Sequence, residues 1–175
     1  AVSVGSGAGQ LYQGNYAVAM GLGAGYTSQG GFAVAVGRDA GGSVQGANSV
    51  AVGYQAGLTS QGSSAVAIGQ AAGNVNQGTY CVAIGFQAGW TNQGYFGIAI
   101  GSNAGEYNET GTGNIFIGGF SNPQIGNLQN SIAIVNNSDF LKIILSLKTI
   151  NFNQILFTIK SIRFIRILIK QIDSQ

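Results

Sequence analysis

The sequence predicts an all-β protein, a parallel β-roll or β-solenoid built from about eight coils of sixteen residues. Three observations predict it. Glycine recurs every sixteen residues from Gly5 to Gly101, and an Ala-Gly pair stands three residues after each of these glycines. A Gln-Gly pair recurs with the same period from Gln13 to Gln93. A strict short period is typical of a solenoid, in which each repeat is one supersecondary unit stacked on the next.

Each coil is predicted to contain one short strand with the pattern Ala-Val-Ala-Ile or a close variant. Side chains alternate across a strand. The two large residues of each strand therefore share one face, and the alanine between them lies on the other. We expect the large residues to line the interior and the alanine column, Ala19 to Ala99, to form a flat apolar ladder outside. The predicted core comprises Val18, Val34, Val50, Val66, Val82, Ile98, Met20, Val36, Val52, Ile68, Ile84 and Ile100.

Two further columns of identical residues, one of glycine and one of glutamine, recur with the same sixteen-residue period. Glycine at the end of each strand predicts a turn with positive φ or a close approach of two backbones. These turn glycines are Gly21, Gly37, Gly53, Gly69, Gly85 and Gly101. The glutamine column predicts a ladder of stacked amides, each bonded to the next coil, in preference to a ligand-binding role. It comprises Gln13, Gln29, Gln45, Gln61, Gln77 and Gln93.

A second, longer period of thirty-two residues places bulky side chains in every second coil. Small or polar residues stand between them, so each bulky side chain has room to pack over its neighbour. The pattern has two interpretations, a self-association contact or a face that grips an external partner. This contact face comprises Leu22, Tyr54 and Phe86 in one column and Tyr26, Leu58 and Trp90 in another.

The composition changes after the repeats, which predicts two segments, a β-roll over 1–135 and a tail over 136–175. Residues 140–175 contain no Gly and no Ala but ten Ile, with six bases and one acid. Isoleucines at heptad spacing, such as Ile155 and Ile162, are typical of a short trimeric coiled-coil stalk. The same composition also fits a frame-shifted or mispredicted end, or a strand or surface-seeking segment. No uncharged run in the tail is long enough for a membrane span.

The residues needed for most chemistry are missing or scattered. There is no histidine, the commonest general base and metal ligand. Residues 1–139 hold one base and four dispersed acids, which predicts neither nucleic-acid binding nor an acid-base pair. Cys81 stands in a column otherwise filled by small residues, so we interpret it as a packed side chain and not a reactive thiol. We therefore expect no enzyme activity, no catalytic or metal site and no cofactor.

Several short motifs resemble a known family. ANSVAVG at 47–53 and NSIAI at 130–134 resemble the YadA-like head repeat of trimeric autotransporter adhesins. GYQAG at 53–57, GFQAG at 85–89 and NIFIG at 114–118 are similar to related repeats of phage, giant-virus and bacterial surface proteins, which often precede an endosialidase-type intramolecular chaperone. The resemblance covers about residues 1–135. It implies a left-handed roll that forms a homotrimeric fibre element on a cell or virion surface, with a host-surface or matrix receptor as a further partner.

Two functions of different classes follow. The first is a structural and adhesive module of a trimeric extracellular or virion-surface fibre, which acts through rigidity and multivalent contact. The alternative is a monomeric solenoid with a flat face that binds a regular lattice such as ice. Thr27, Thr59 and Thr91 share a column, which motivates the alternative, although Ser43 and Val75 interrupt that column. The chain begins within a repeat, which indicates a fragment of a longer protein.

Overall fold

A computed structural model describes residues 1–106, 111–119, 131–134 and 145–146, with side chains in the first two ranges. The chain divides into two compact units, Ala1–Leu145 and Ser146–Gln175. Apart from residues 145–146, the predicted tail lies outside the described residues. The prediction of a stalk there lies outside them as well.

The fold is a parallel β-solenoid of about 7 turns, and the described residues contain no helix. Every strand is short, because a coil of sixteen residues must turn back on itself within one repeat. The strands are β1 Val2–Val4, β2 Val18–Met20, β3 Ser28–Gln29, β4 Val34–Val36, β5 Val44–Gln45, β6 Val50–Val52, β7 Thr59–Gln61, β8 Val66–Ile68, β9 Val75–Gln77, β10 Val82–Ile84, β11 Ile98–Ile100, β12 Ile115–Ile117, β13 Ser131–Ile134 and β14 Leu145–Ser146. The fold class is therefore as predicted.

The strands form two parallel sheets. The larger sheet runs in the order β1-β2-β4-β6-β8-β10-β11-β12-β13-β14, and the smaller one in the order β3-β5-β7-β9. The register advances by one repeat at each step, so Val34 pairs with Val50 and Gln45 pairs with Gln61. After β11 the pairing is Ile98 with Ile115, which accommodates one extra residue in that coil.

The predicted core is wrong, because the face of each strand that turns inward is the alanine face and not the face of the large residues. The alanines between the large residues are fully buried, and with Ala24 and its equivalents they form the hydrophobic core. In the coil that contains β12, the inward residue is Phe116, which is again the middle residue of the strand. The residues predicted as core lie outside: Val18, Val34, Val50, Val66, Val82, Ile98, Val36 and Val52 are half-buried, and Met20, Ile68, Ile84 and Ile100 are exposed.

The small volume inside the coil explains this correction. Each glutamine of the smaller sheet extends across the interior, and Nε2 of Gln29 lies 2.7 Å from the carbonyl oxygen of Val18 in the larger sheet. A Cβ added to Gly25 would lie 3.3 Å from the Cβ of Ala19 and 2.8 Å from Cδ of Gln29. The interior therefore accepts a methyl group at each alanine. Inserting larger side chains into a filled core would force the sheets apart.

The turn glycines stack in a column where successive coils come very close. Gly53 has a φ of 129°, and Gly69, one coil further on, has a φ of 122°. A Cβ on Gly53 would lie 2.7 Å from the carbonyl oxygen of Gly69, well inside van der Waals contact. Positive φ and this close approach both require glycine, which explains why the column does not vary from Gly5 to Gly101.

Candidate interaction surfaces

The larger sheet presents a flat apolar face on the outside of the solenoid. The column that starts at Val18 is half-buried, and Met20, Ile68, Ile84, Ile100 and Ile117 in the next column are each more than a third exposed. The two columns stand side by side in register through β1 to β12. Contiguous exposed apolar surface of this kind is typical of an interaction site. The surface expected to need a partner is therefore the β-branched face and not the alanine ladder.

The glutamine column lies inside the coil and connects the two sheets. Gln29, Gln45, Gln61, Gln77 and Gln93 are 1–2% exposed. Each donates from Nε2 to a strand carbonyl of the larger sheet at 2.7–3.0 Å. Amide-to-amide bonds at 3.1–3.2 Å join Gln13 to Gln29, Gln61 to Gln77, and Gln77 to Gln93. The ladder is interrupted in the middle, since Oε1 of Gln45 and Oε1 of Gln61 are buried without a partner.

The predicted contact face lies on the outside but is less uniform than expected. Leu22, Tyr54, Phe86 and Tyr26 are exposed, whereas Leu58 and Trp90 are half-buried. The structure brings Leu22, Tyr26 and Leu58 together along one groove. Thr27, Thr59 and Thr91, which motivated the alternative of a lattice-binding face, are half-buried. The Thr91 hydroxyl donates to the Glu106 carbonyl oxygen at 3.2 Å.

Sequence reasoning missed a column of stacked aromatic rings. Tyr16 and Phe32 stack with centroids 5.0 Å apart, and Tyr80 and Phe96 stack at 5.2 Å. All four rings are more than half exposed, and their backbones have φ near 60°, a region that bulky residues rarely adopt. Residue Asn48 occupies the same column and the same conformation. The signal was available, because each stacked pair is sixteen residues apart and each ring stands two residues before an outward Val or Ile.

Cys81 is a packed residue, in agreement with its column. Its side chain is fully buried, and the thiol donates to the Gly94 carbonyl oxygen at 2.8 Å. Burial raises the pKa of the Cys81 thiol to about 11, because desolvation disfavours the thiolate. A thiol in this environment is a poor nucleophile at neutral pH.

Sequence reasoning also missed a groove of about 930 Å³ on the first four coils. Its lining includes Tyr26, Asp39, Gly42 and Ser43. The available signal was Gly42, a glycine in the column that holds Tyr26 and Leu58 in the coils on either side. Asp39 is half-buried, and its carboxylate lies 3.2 Å from Nε of Arg38 in the one ion pair among the described side chains.

The described part of the chain offers no group of three or more His, Cys, Asp or Glu side chains that could hold a metal ion. Nor does it contain a helix of the length and apolar character that crossing a membrane requires. In comparisons with known proteins, no family model matches the chain, and no curated protein or solved structure matches it either. The fold and its surfaces define the class: this chain is a parallel β-solenoid repeat protein whose larger sheet carries apolar side chains on its outer face, among the described residues.

Proposed function

We propose that the chain is a non-enzymatic structural and adhesive module that assembles as a homotrimer in a fibre at a cell or virion surface. The observation that carries the proposal is the outer face of the larger sheet. Two adjacent columns of Val, Ile and Met run outward along it from β1 to β12, and no residue that the structure describes covers them. Large apolar side chains in regular rows favour a protein partner over water.

The dimensions of the face suit a contact between copies. Eight strands at a spacing of about 4.8 Å give a length of roughly 35 Å, and two columns with their side chains are about 12 Å wide, or about 400 Å² in plan. The exposed, stacked rings of Tyr16 and Phe32 stand two residues before Val18 and Val34 and would add apolar surface beside these strands. With that column, about 6 Å wider, the face covers roughly 600 Å² in plan, about three quarters of the 800 Å² per partner of a standard interface.

Trimeric assembly is the part of the proposal that rests on the resemblance to adhesin head repeats. A long, narrow face suits it, because three such faces around one axis bury their side chains against two neighbours at once. In-register strands make the rod rigid, and three parallel copies present every surface feature three times, which raises avidity for a repetitive receptor.

The proposal is tested by the mass of the full chain in solution, measured by light scattering coupled to size exclusion. We expect three times the chain mass of 17.8 kDa. The variant Ile84→Lys places a charge on the apolar face and should lower the mass to that of one chain. The matched control is Val44→Lys, since Val44 is also an exposed apolar strand residue but lies in the smaller sheet.

A wild-type protein that stays monomeric at high concentration would contradict trimeric assembly. It would favour the alternative of a monomeric flat-faced binder, and ice-recrystallisation inhibition would then test that function. A trimer that survives Ile84→Lys but dissociates with Val44→Lys would place the interface on the smaller sheet.

A further inference from the structure

We propose that the groove on the first four coils is a binding site for a small neutral oligosaccharide. The inference extends the proposed adhesive function by naming a ligand class, but the groove is formed within one chain and does not require the trimer. It depends on three features: a concave surface lined by glycines, polar groups with no hydrogen-bond partner among the described side chains, and a carboxylate whose charge is offset by a neighbouring arginine.

Glycine at two positions lets a side chain of the next coil lie close to the backbone of the groove. Gly42 replaces the bulky residue of its column between Tyr26 and Leu58, two coils or about 9.6 Å apart, and a Cβ there would lie 2.9 Å from Cδ1 of Leu58. At Gly23 the Asp39 carboxylate lies against the backbone, since a Cβ there would lie 2.6 Å from Oδ1 of Asp39. The groove volume of about 930 Å³ lies within the range of small-molecule sites.

Several polar side chains line the groove and have no side-chain hydrogen-bond partner among the described residues. The amide of Gln10 and the hydroxyls of Tyr26, Thr27 and Ser43 all belong to the lining, and none makes a side-chain hydrogen bond with another described residue. They combine donors and acceptors. Asp39 adds a carboxylate, which accepts only. A ligand with several hydroxyl groups matches this mixed set, because each hydroxyl both donates and accepts.

The charges of the groove argue against an ionic ligand. Arg38 pairs with Oδ2 of Asp39 at 3.2 Å, and its guanidinium carbon lies 5.4 Å from the ring centroid of Tyr54, in the next coil. Arg38 is not part of the lining, and its positive charge offsets the carboxylate. Asp39 is the one carboxylate in the lining, which contains no Lys or Arg, so an anion would find no cation there and a metal ion would find one charged ligand.

Apolar groups supply the remaining element of sugar recognition. The Tyr26 ring is 42% exposed and leans over Gly7 of the preceding coil, with its Cδ2 atom 3.3 Å from where a Cβ would stand. Leu22 and Leu58 are the other large apolar residues of the lining. A pyranose ring has apolar C–H faces and hydroxyls around its rim. It can therefore pack on Tyr26 while its rim reaches Asp39, Thr27 and Ser43.

The test is ligand-observed saturation-transfer NMR on the full chain. The probes are neutral trisaccharides of glucose, galactose, mannose and N-acetylglucosamine, with cationic glucosamine trisaccharide and anionic sialyllactose for comparison. We expect at least one neutral probe to bind with a Kd below about 10 mM. Tyr26→Ala and Asp39→Asn should each weaken that binding at least tenfold. Asn suits the positive φ of 55° at Asp39, so the second variant keeps the backbone.

The matched control is Tyr95→Ala, which removes an exposed tyrosine from outside the groove and should leave the Kd unchanged. The inference is overturned if no neutral probe binds at 10 mM, if only the charged probes bind, or if the control weakens binding as much as Tyr26→Ala. Light scattering on the same samples separates the two proposals. Loss of the trimer with retained binding contradicts the assembly alone, and a trimer that binds no neutral probe contradicts the groove alone.

Discussion

The side-chain amide of Gln61 donates from Nε2 to Oε1 of Gln77, one coil further along, at 3.1 Å, and both side chains are 2% exposed. The same nitrogen lies 2.9 Å from the carbonyl oxygen of Val50 in the larger sheet. One glutamine therefore links successive coils along the axis and the two sheets across it. Because these groups are buried, any replacement that cannot donate leaves a strand carbonyl without its partner.

Gln61→Glu should make stability depend on pH. Burial raises the pKa of the new carboxyl, because the charged form loses its hydration. The protonated acid can still donate to Val50, so stability is retained below the unfolded-state pKa of about 4.3 and falls as the pH rises toward the folded-state pKa. We expect a urea midpoint that is clearly lower at pH 7 than at pH 4. The control is Gln70→Glu, an exposed glutamine, which should show no such dependence.

Ala67→Val should destabilise the protein by about 1–3 kcal/mol, because Ala67 is fully buried and the interior has no room for two more methyl groups. The neighbouring change Val66→Ala should cost less in a monomeric state, since Val66 is half-buried on the outer face. Chemical denaturation of both variants measures the difference. The opposite ranking would mean that the large residues, and not the alanines, fill the core.

Gly53→Ala should be strongly destabilising, by about 2 kcal/mol or more, because φ is 129° and the new methyl would lie 2.7 Å from the carbonyl oxygen of Gly69. Gly31→Ala is the matched control. A Cβ at Gly31 would approach only the Asn15 carbonyl, at 3.5 Å, and Ala47 already occupies the same column. Thermal unfolding followed by circular dichroism compares them, and equal melting temperatures would disprove the close approach at Gly53.

Cys81 should resist alkylation in the folded protein and react on unfolding. Burial raises the pKa of the thiol to about 11, so stability that depends on the protonated form is lost as the pH rises from about 8.5 toward that value. Cys81→Ala should remove this part of the alkaline destabilisation and change stability little at pH 7, since Ala17, Ala33 and Ala65 fill the same column. Iodoacetamide labelling at pH 8 with and without urea measures the first effect. Rapid labelling of the native protein would contradict the burial.

Much of the architecture could be predicted because the repeat imposes it. An unbroken glycine column predicts a turn that only glycine can make, and Gly53 and Gly69 show the close approach that explains it. The glutamine column predicts stacked amides, and Gln77 is bonded to both of its neighbours in the ladder. The groove could not be predicted with the same ease, because it depends on Asp39 and Gly42, which depart from the repeat.

The amino-acid sequence by itself determined the coil length, the position of the Ala-Val-Ala-Ile strand in each coil, the turn glycines and the in-register stacking. The second strand, which ends at Gln29, Gln45, Gln61 or Gln77, was not predicted. Only the tertiary structure decided which side of each strand is inside. Alternation shows that Val66 and Ile68 share one face and Ala67 the other, but it does not say which face turns inward. The space inside the closed coil decides this. Glutamine side chains cross that space from the smaller sheet, so only the methyl groups of the alanines fit against them, and the larger residues lie on the outer face.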